Sequence, residues 1–218
     1  MRFHLRSAAC LLIAIVMAAL PVHAQTLADE AYVSAAPQAI LIDAKSGRVF
    51  YEKDADKAVQ PGNMSKLMTQ TVVLDLLKSG ELLPDTKFTV STNAWKKGGA
   101  PSKGTTMYAK AKTQISVADL LRGAIVASGN DACLVLAEGI DGKESAFVNR
   151  MNIKAEEIGL RNSRFRNTTG NSDPNHVMSV RDLATLARYV ILNHPDYFRL
   201  YSEKEFTWSE IKQPNRNP

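Results

Sequence analysis

Two stretches of this sequence combine residue types that could do chemistry with spacings that would bring them together. The first is Pro61-Gly62-Asn63-Met64-Ser65-Lys66-Leu67-Met68-Thr69, where a Pro-Gly breaker gives way to a helical pattern. Three residues of helix bring the side chains at positions 63 and 66 to the same side. A lysine there, short of its proton, could take one from a hydroxyl at position 63, and the free N–H groups of a helix N-terminus could hold the oxyanion formed on attack. Were residue 63 a serine, that would be nucleophilic acyl transfer. Residue 63, however, is Asn, whose amide has no ionisable hydroxyl and is a poor nucleophile. Ser65 is no obvious substitute, because it neighbours Lys66 and points about 100° away around the helix. The second stretch is Ser128-Gly129-Asn130-Asp131-Ala132, which puts a hydroxyl and an amide at a break between two helical runs.

Both stretches also have plain structural readings. Asn63 suits the N-cap of the helix that follows, since its side-chain carbonyl can accept a free N–H of the first turn. Lys66 could be a solvated helix lysine, and Ser128-Gly129-Asn130 an inter-helix turn. Elsewhere there is no dense His/Cys/Asp/Glu cluster and no Gly-rich phosphate loop. His176 and His194 stand alone and read as loop residues, so neither a metal nor a cofactor is expected.

The elements that must position these residues follow from periodicity. Gln38 to Ile42 and Arg48 to Tyr51, around the turn Asp43-Ala44-Lys45-Ser46-Gly47, predict a β-hairpin. Met64, Leu67, Met68, Thr71 and Leu74 recur at three- and four-residue intervals until Gly80. Lys87 to Ser91 predicts a short strand, and Gly98 to Lys112 a glycine-containing loop. Ser116-Val117-Ala118-Asp119 opens a helix with a capping-box-like spacing, which breaks at residues 128–130 before a new helix from Asp131. Residues 143–158 form another, with Phe147, Met151 and Ile158 on one face, and Ser179 caps the next, through Leu186 and Val190. The reading is mixed α/β, with most of the helix between two β segments.

The 218 residues suffice for about one domain, and 45% hydrophobic with 22% charged residues is a globular composition. Arg2 and Arg6 precede an apolar run from Ala8 to Leu20 and a small-residue site at Val22-His23-Ala24. That is a secretory signal peptide, and the run is too short for a membrane-spanning helix. Residues 1–24 carry two Lys/Arg and no acid, so the formal +5 falls to +3 once they are removed. So mild an excess, without a basic run, does not argue for nucleic acid. Of two cysteines only Cys133 lies beyond residue 24, which rules out an intramolecular disulfide in the processed chain. Its setting, Ala132-Cys133-Leu134-Val135-Leu136, predicts a small core residue.

Ser-x-x-Lys and Ser-x-Asn, with Lys-Thr-Gly, form the motif set of penicillin-binding enzymes. The chain resembles the serine-type D-alanyl-D-alanine carboxypeptidases among the low-molecular-mass penicillin-binding proteins (peptidase family S11) over residues 37–218. Beyond the two stretches above, the likeness rests on Ala39-Ile40-Leu41-Ile42-Asp43, Asn93-Ala94-Trp95, Gly98-Gly99-Ala100-Pro101-Ser102 and Asp119-Leu120-Leu121-Arg122-Gly123. It continues in Asn167-Thr168-Thr169-Gly170, Ser202-Glu203-Lys204-Glu205-Phe206 and Pro214-Asn215-Arg216-Asn217. The resemblance implies a β-lactamase/transpeptidase-like fold, a helical cluster packed on an antiparallel sheet. It makes Asn63 the occupant of the catalytic serine's position, Lys66 the general base, Ser128 a proton-relay serine and Asn130 a substrate-orienting amide. The implied reaction removes the terminal D-Ala from peptidoglycan stem peptides through an acyl-enzyme, with β-lactams as further ligands and no cofactor.

No Lys-Thr-Gly occurs in the 218 residues. In the family that strand and its neighbours follow the Asn-Arg-Asn segment and complete a five-stranded sheet. The expected organisation is therefore a signal peptide (1–24), a short lead (25–36) and a truncated penicillin-binding carboxypeptidase domain (37–218) lacking its C-terminal strands. What would remain is a two-stranded hairpin plus a helical cluster. The expected location is exported, in the periplasm or at the outer face of the bacterial cytoplasmic membrane, with membrane association through a region beyond residue 218. The expected function is that of a family member without turnover, a non-catalytic binder of peptidoglycan peptides or β-lactams, or a fragment without independent function.

Overall fold

The computed structural model describes residues 33–216. The expected signal peptide lies outside them, as do the first eight residues of the lead. From Ser34 onward the chain clusters as one unit.

The predicted hairpin is present as β1 (Ala39–Ile42) and β2 (Val49–Lys53), paired antiparallel with a register shift between Leu41 and Ile42. The Asp43 carboxylate accepts the Ser46 N–H at 2.6 Å, and Gly47 takes the left-handed φ of +79° that closes the turn. Next come α1 (Lys66–Ser79), β3 (Lys87–Thr89), α2 (Thr92–Gly98) and β4 (Gln114–Ser116), with β3 and β4 antiparallel. Four longer helices follow: α3 (Val117–Ile125), α4 (Asn130–Asp141), α5 (Glu144–Ile158) and α6 (Val180–Asn193). The short α7 (Pro195–Phe198) leads to a second antiparallel hairpin, β5 (Glu205–Trp208) and β6 (Ile211–Pro214).

The described residues thus hold three two-stranded antiparallel sheets, which corrects the expectation of one hairpin beside a helical cluster. The mixed α/β class stands, with helices between β1–β2 and β5–β6. Of the other two pairs, β3 matches the strand expected at Lys87 to Ser91, whereas β4, β5 and β6 are short and half polar and produce no alternating apolar run by which strands are recognised.

The core sits around α4, whose residues Asn130 to Ala137 are all buried. A helix without a solvent face must be covered on every side. Here α3, α2, α5 and α1 pack against it, and Leu120 and Leu121 of α3, Ala94 of α2, and Phe147 and Met151 of α5 are buried in the same core. Phe88 lies so close over Gly139 that a Cβ there would come within 2.2 Å of its ring, so β3 can approach α4 only at a glycine. Predicted caps are in place: the Ser116 hydroxyl accepts the Asp119 N–H at 3.1 Å, and that of Ser179 accepts the Asp182 N–H at 3.1 Å. From α6, Arg188 donates to the carbonyls of Ala44 and Lys45, tying the first hairpin's turn to the helical body. Cys133 is fully buried, as its sequence setting predicts. His176 packs edge-on against Phe165 at 5.7 Å, and His194 ends α6 with Nε2 2.8 Å from Asp75 Oδ1.

Candidate active site

The chain enters α1 through a 3₁₀ turn, Gly62–Ser65, which follows Pro61. Asn63 sits exposed on this turn and Lys66, one residue into α1, is only 2% exposed. The spacing of three brings them together: Lys66 Nζ donates to Asn63 Oδ1 at 2.6 Å. The expected N-cap at Asn63 is not formed, because the amide oxygen is taken by the ammonium and the tight turn closes through the Met64 N–H on the Pro61 carbonyl. A cation outcompetes a backbone N–H for the same oxygen.

Burial holds the Lys66 amine below the ordinary lysine pKa, so less energy is needed to free its lone pair than at the surface. In the core nearby, burial pushes the Cys133 thiol up to about 12, with the Lys66 charge acting in the opposite direction. Ser65 faces away: its hydroxyl donates to the Gly62 carbonyl at 3.0 Å and lies on the Gly170 side of the turn. Gly170 has a φ of +80°, and a Cβ on it would sit 2.0 Å from the Gly62 carbonyl oxygen. The loop that carries Gly170 therefore braces the turn that carries Asn63.

Ser128 stands at the break between α3 and α4 with a left-handed φ of +54°, a conformation that is uncommon outside glycine. The break is pinned from both sides. The Gly129 N–H donates to the Gly123 carbonyl at 3.0 Å and the Asn130 N–H to the Thr105 carbonyl at 2.8 Å. Next to it, the buried Asp131 carboxylate accepts from Thr106 Oγ1 and from the N–H groups of Met107, Ala109 and Ala132. Desolvation raises the Asp131 pKa while these donors pull it back.

Asn63, Lys66 and Ser128 line one cavity of about 600 Å³, together with Thr105 and Arg216. Its apolar wall includes Leu67, Ile125, Leu183 and Tyr201. Asn130 is not among the lining residues. The residue is 6% exposed and its side chain is turned to the 102–105 loop, with the Thr105 hydroxyl 3.4 Å from its Oδ1. A larger groove of about 820 Å³, lined by Asp75, Arg150, Lys154 and Tyr189, lies along α1 and α5 and contains none of the four predicted site residues.

Thr105 and Arg216 were not singled out from the sequence. Thr105 lies in an irregular loop, and Arg216 arrives from the far end of the chain, its N–H bonded to the Val126 carbonyl at the end of α3. Only the fold joins them to the site. The one sequence signal for Arg216 is the segment Pro214-Asn215-Arg216-Asn217, which carries part of the resemblance.

The chain is 38% identical over 179 residues to the D-alanyl-D-alanine carboxypeptidase DacC of Escherichia coli strain K12, covering 82% of this chain and 45% of that protein. It is 39% identical over 178 residues to the DacA of Haemophilus influenzae, again 82% of this chain and 45% of the relative. The chain thus spans about half the length of these relatives. Among solved structures it resembles penicillin binding protein 5 from Haemophilus influenzae, with a TM-score of 0.80 and 39% identity over 84% of this chain and 52% of that one. Penicillin-binding protein D2 of Listeria monocytogenes, solved in an ampicillin-bound form, matches with a TM-score of 0.70 and 26% identity over 84% and 72% of the two chains. The family profile described as D-alanyl-D-alanine carboxypeptidase matches residues 24–218, and with it the chain belongs to the S11 family of D-alanyl-D-alanine carboxypeptidases.

Proposed function

We propose that this chain is an exported family member that recognises the D-Ala-D-Ala end of peptidoglycan stem peptides, and β-lactams, reversibly and without turnover. The observation that carries the reading is the 2.6 Å bond from Lys66 Nζ to Asn63 Oδ1. The lysine stands ready with a depressed pKa, but its partner is an amide that cannot form an acyl ester. In this reading Arg216 attracts the peptide's terminal carboxylate, Ser128 presents its hydroxyl to the scissile region, and the apolar wall takes the alanine methyls. Asn130 acts from behind, by holding the Thr105 loop and, after a side-chain rotation, by orienting the peptide.

The reading includes export by a signal peptide over residues 1–24 and a carboxypeptidase-family domain over 37–218. Among the described residues no helix is long and apolar enough to cross a membrane. Membrane association through a segment beyond residue 218 remains part of the proposal, as in the sequence-based expectation.

Calorimetric titration with a short peptide ending in D-Ala-D-Ala tests it. One saturable site is expected, weakened in Arg216→Gln and competed by benzylpenicillin that is recovered chemically intact. No saturable binding at all would sink the reading. A covalent penicillin adduct on the chain would replace it with the family's catalytic reaction.

A further inference from the structure

Residues 86–118 contain six lysines and no Asp, Glu, Arg or His. Six positive charges exceed the whole chain's formal +5, so the basic balance comes from this one segment. In the structure it comprises β3, α2, the loop to β4, β4 itself and the first residues of α3. Its inner side is apolar: Val90, Ala94, Met107 and Ile115 are all 1% exposed or less. Lys87, Lys96, Lys97, Lys103, Lys110 and Lys112 are all exposed. None of them takes part in an ion pair among the described residues. The carboxylate that α4 turns toward this segment, Glu138, is already engaged by the Ser91 hydroxyl and by Asn93 Nδ2. Asp85 and Asp119 flank the segment but neither is ion-paired to its lysines, so six ammonium groups face at most two adjacent carboxylates at its ends.

The segment is also continuous with the candidate site. Thr105 lines the cavity, and its carbonyl accepts the Asn130 N–H at 2.8 Å. Lys103, two residues earlier, lies at the end of the 3₁₀ turn after α2. The turn at Lys110 to Thr113 is hydrogen-bonded to Val90, at the end of β3 and just before α2.

We propose that residues 86–118 form a second, electrostatic docking surface for the polymer whose peptide ends enter the cavity, holding its closely spaced carboxylates on exposed lysines. This rests on the reading of the cavity given above. One exposed lysine–carboxylate pair contributes little, about 0.2–1 kcal/mol. Several, engaged together on one repeating anion, add through effective concentration, and a field of one sign also speeds encounter. Continuity with Thr105 favours the carboxylate polymer over an anionic lipid surface.

The test is co-sedimentation of the full chain with insoluble peptidoglycan sacculi at low ionic strength. The K87Q/K96Q/K97Q/K110Q variant leaves the left-handed positions Lys103 and Lys112 untouched. It is expected to bind sacculi about tenfold more weakly, as four lost exposed pairs would give, with an unchanged circular dichroism spectrum. The corresponding Lys→Arg variant should bind as the parent does. Converting the sacculi's free carboxylates to amides, or adding about 0.5 M salt, should release the parent. Calorimetry with the soluble D-Ala-D-Ala peptide should give the same affinity for parent and glutamine variant. Undiminished sacculus binding by the glutamine variant would overturn the proposal, as would indifference to amidation or pelleting with anionic phosphatidylglycerol vesicles alone. Lysine-dependent sacculus binding without any soluble-peptide binding would uphold the docking surface while removing the cavity reading.

Discussion

At the scale of single residues, the site turns on what the Lys66 ammonium meets. Its partner is an amide oxygen at 2.6 Å, so the amine has a hydrogen bond but no hydroxyl beside it to deprotonate. Asn63→Ser would put a hydroxyl three residues before that amine. We expect this variant, incubated with a fluorescent penicillin, to acquire a covalent adduct on the peptide spanning residue 63, where the parent acquires none. Loss of a nucleophile of this kind lowers turnover elsewhere by about a million-fold, so even slow labelling would be diagnostic. Lys66 should also be a stability liability. Its folded pKa lies below the unfolded value of 10.5, so between those two values the unfolded chain binds more protons and stability climbs as pH rises. Lys66→Met should remove that slope and stabilise the chain at pH 7 by about 1–2 kcal/mol, measured by urea unfolding at pH 7 and pH 10. A less stable variant at pH 7 would show the buried ammonium to be net favourable. The pairing itself was legible in the sequence, because a spacing of three on a helix needs no knowledge of the rest of the fold. The role of the asparagine oxygen was not, since a cap and a lysine partner compete for one atom and only the turn geometry decides between them.

Among elements, the loop carrying Gly170 shows how a distant segment fixes the start of α1. Alanine at 170 would meet a positive φ, costing about 1–2 kcal/mol, and would also drive its Cβ against the Gly62 carbonyl. Gly170→Ala is therefore expected to lower Tm by about 2–8 °C and to displace the Asn63 turn. Weakened peptide binding by calorimetry would accompany the thermal shift, and retention of both Tm and affinity would refute the bracing role. Elements with local signals were readable: the β1–β2 turn through Asp43 and Gly47, α3 and α6 through their serine caps. The β5–β6 hairpin was hidden for a physical reason. Its turn residues, Ser209 and Glu210, both adopt positive φ, at +46° and +67°, where Asn-Gly or Gly is the usual marker. Nothing in a Ser-Glu pair announces such a turn. Likewise α2 has only seven residues and two adjacent lysines, too short for a periodicity to register.

Over the whole molecule, one continuous core links α4 to every longer helix around it, so residues 25–218 are expected to unfold in a single transition that is coincident by near- and far-ultraviolet circular dichroism. Separate transitions would mean that the hairpins and the helices are not one cooperative unit. Thr105 and Arg216 reach the cavity only through this arrangement, which is why no local pattern revealed them. Cys133, fully buried in α4 and near enough to Lys66 to feel its charge, offers a clock for the same cooperativity. In a chain without residues 1–24 it is the only thiol, and a disulfide reagent can reach it only when α4 loses its cover. Its labelling half-life should therefore track the global opening of the fold, lengthening in Lys66→Met and shortening in Gly170→Ala. The molecule would then report its own breathing from the middle of its core, through a thiol it already carries.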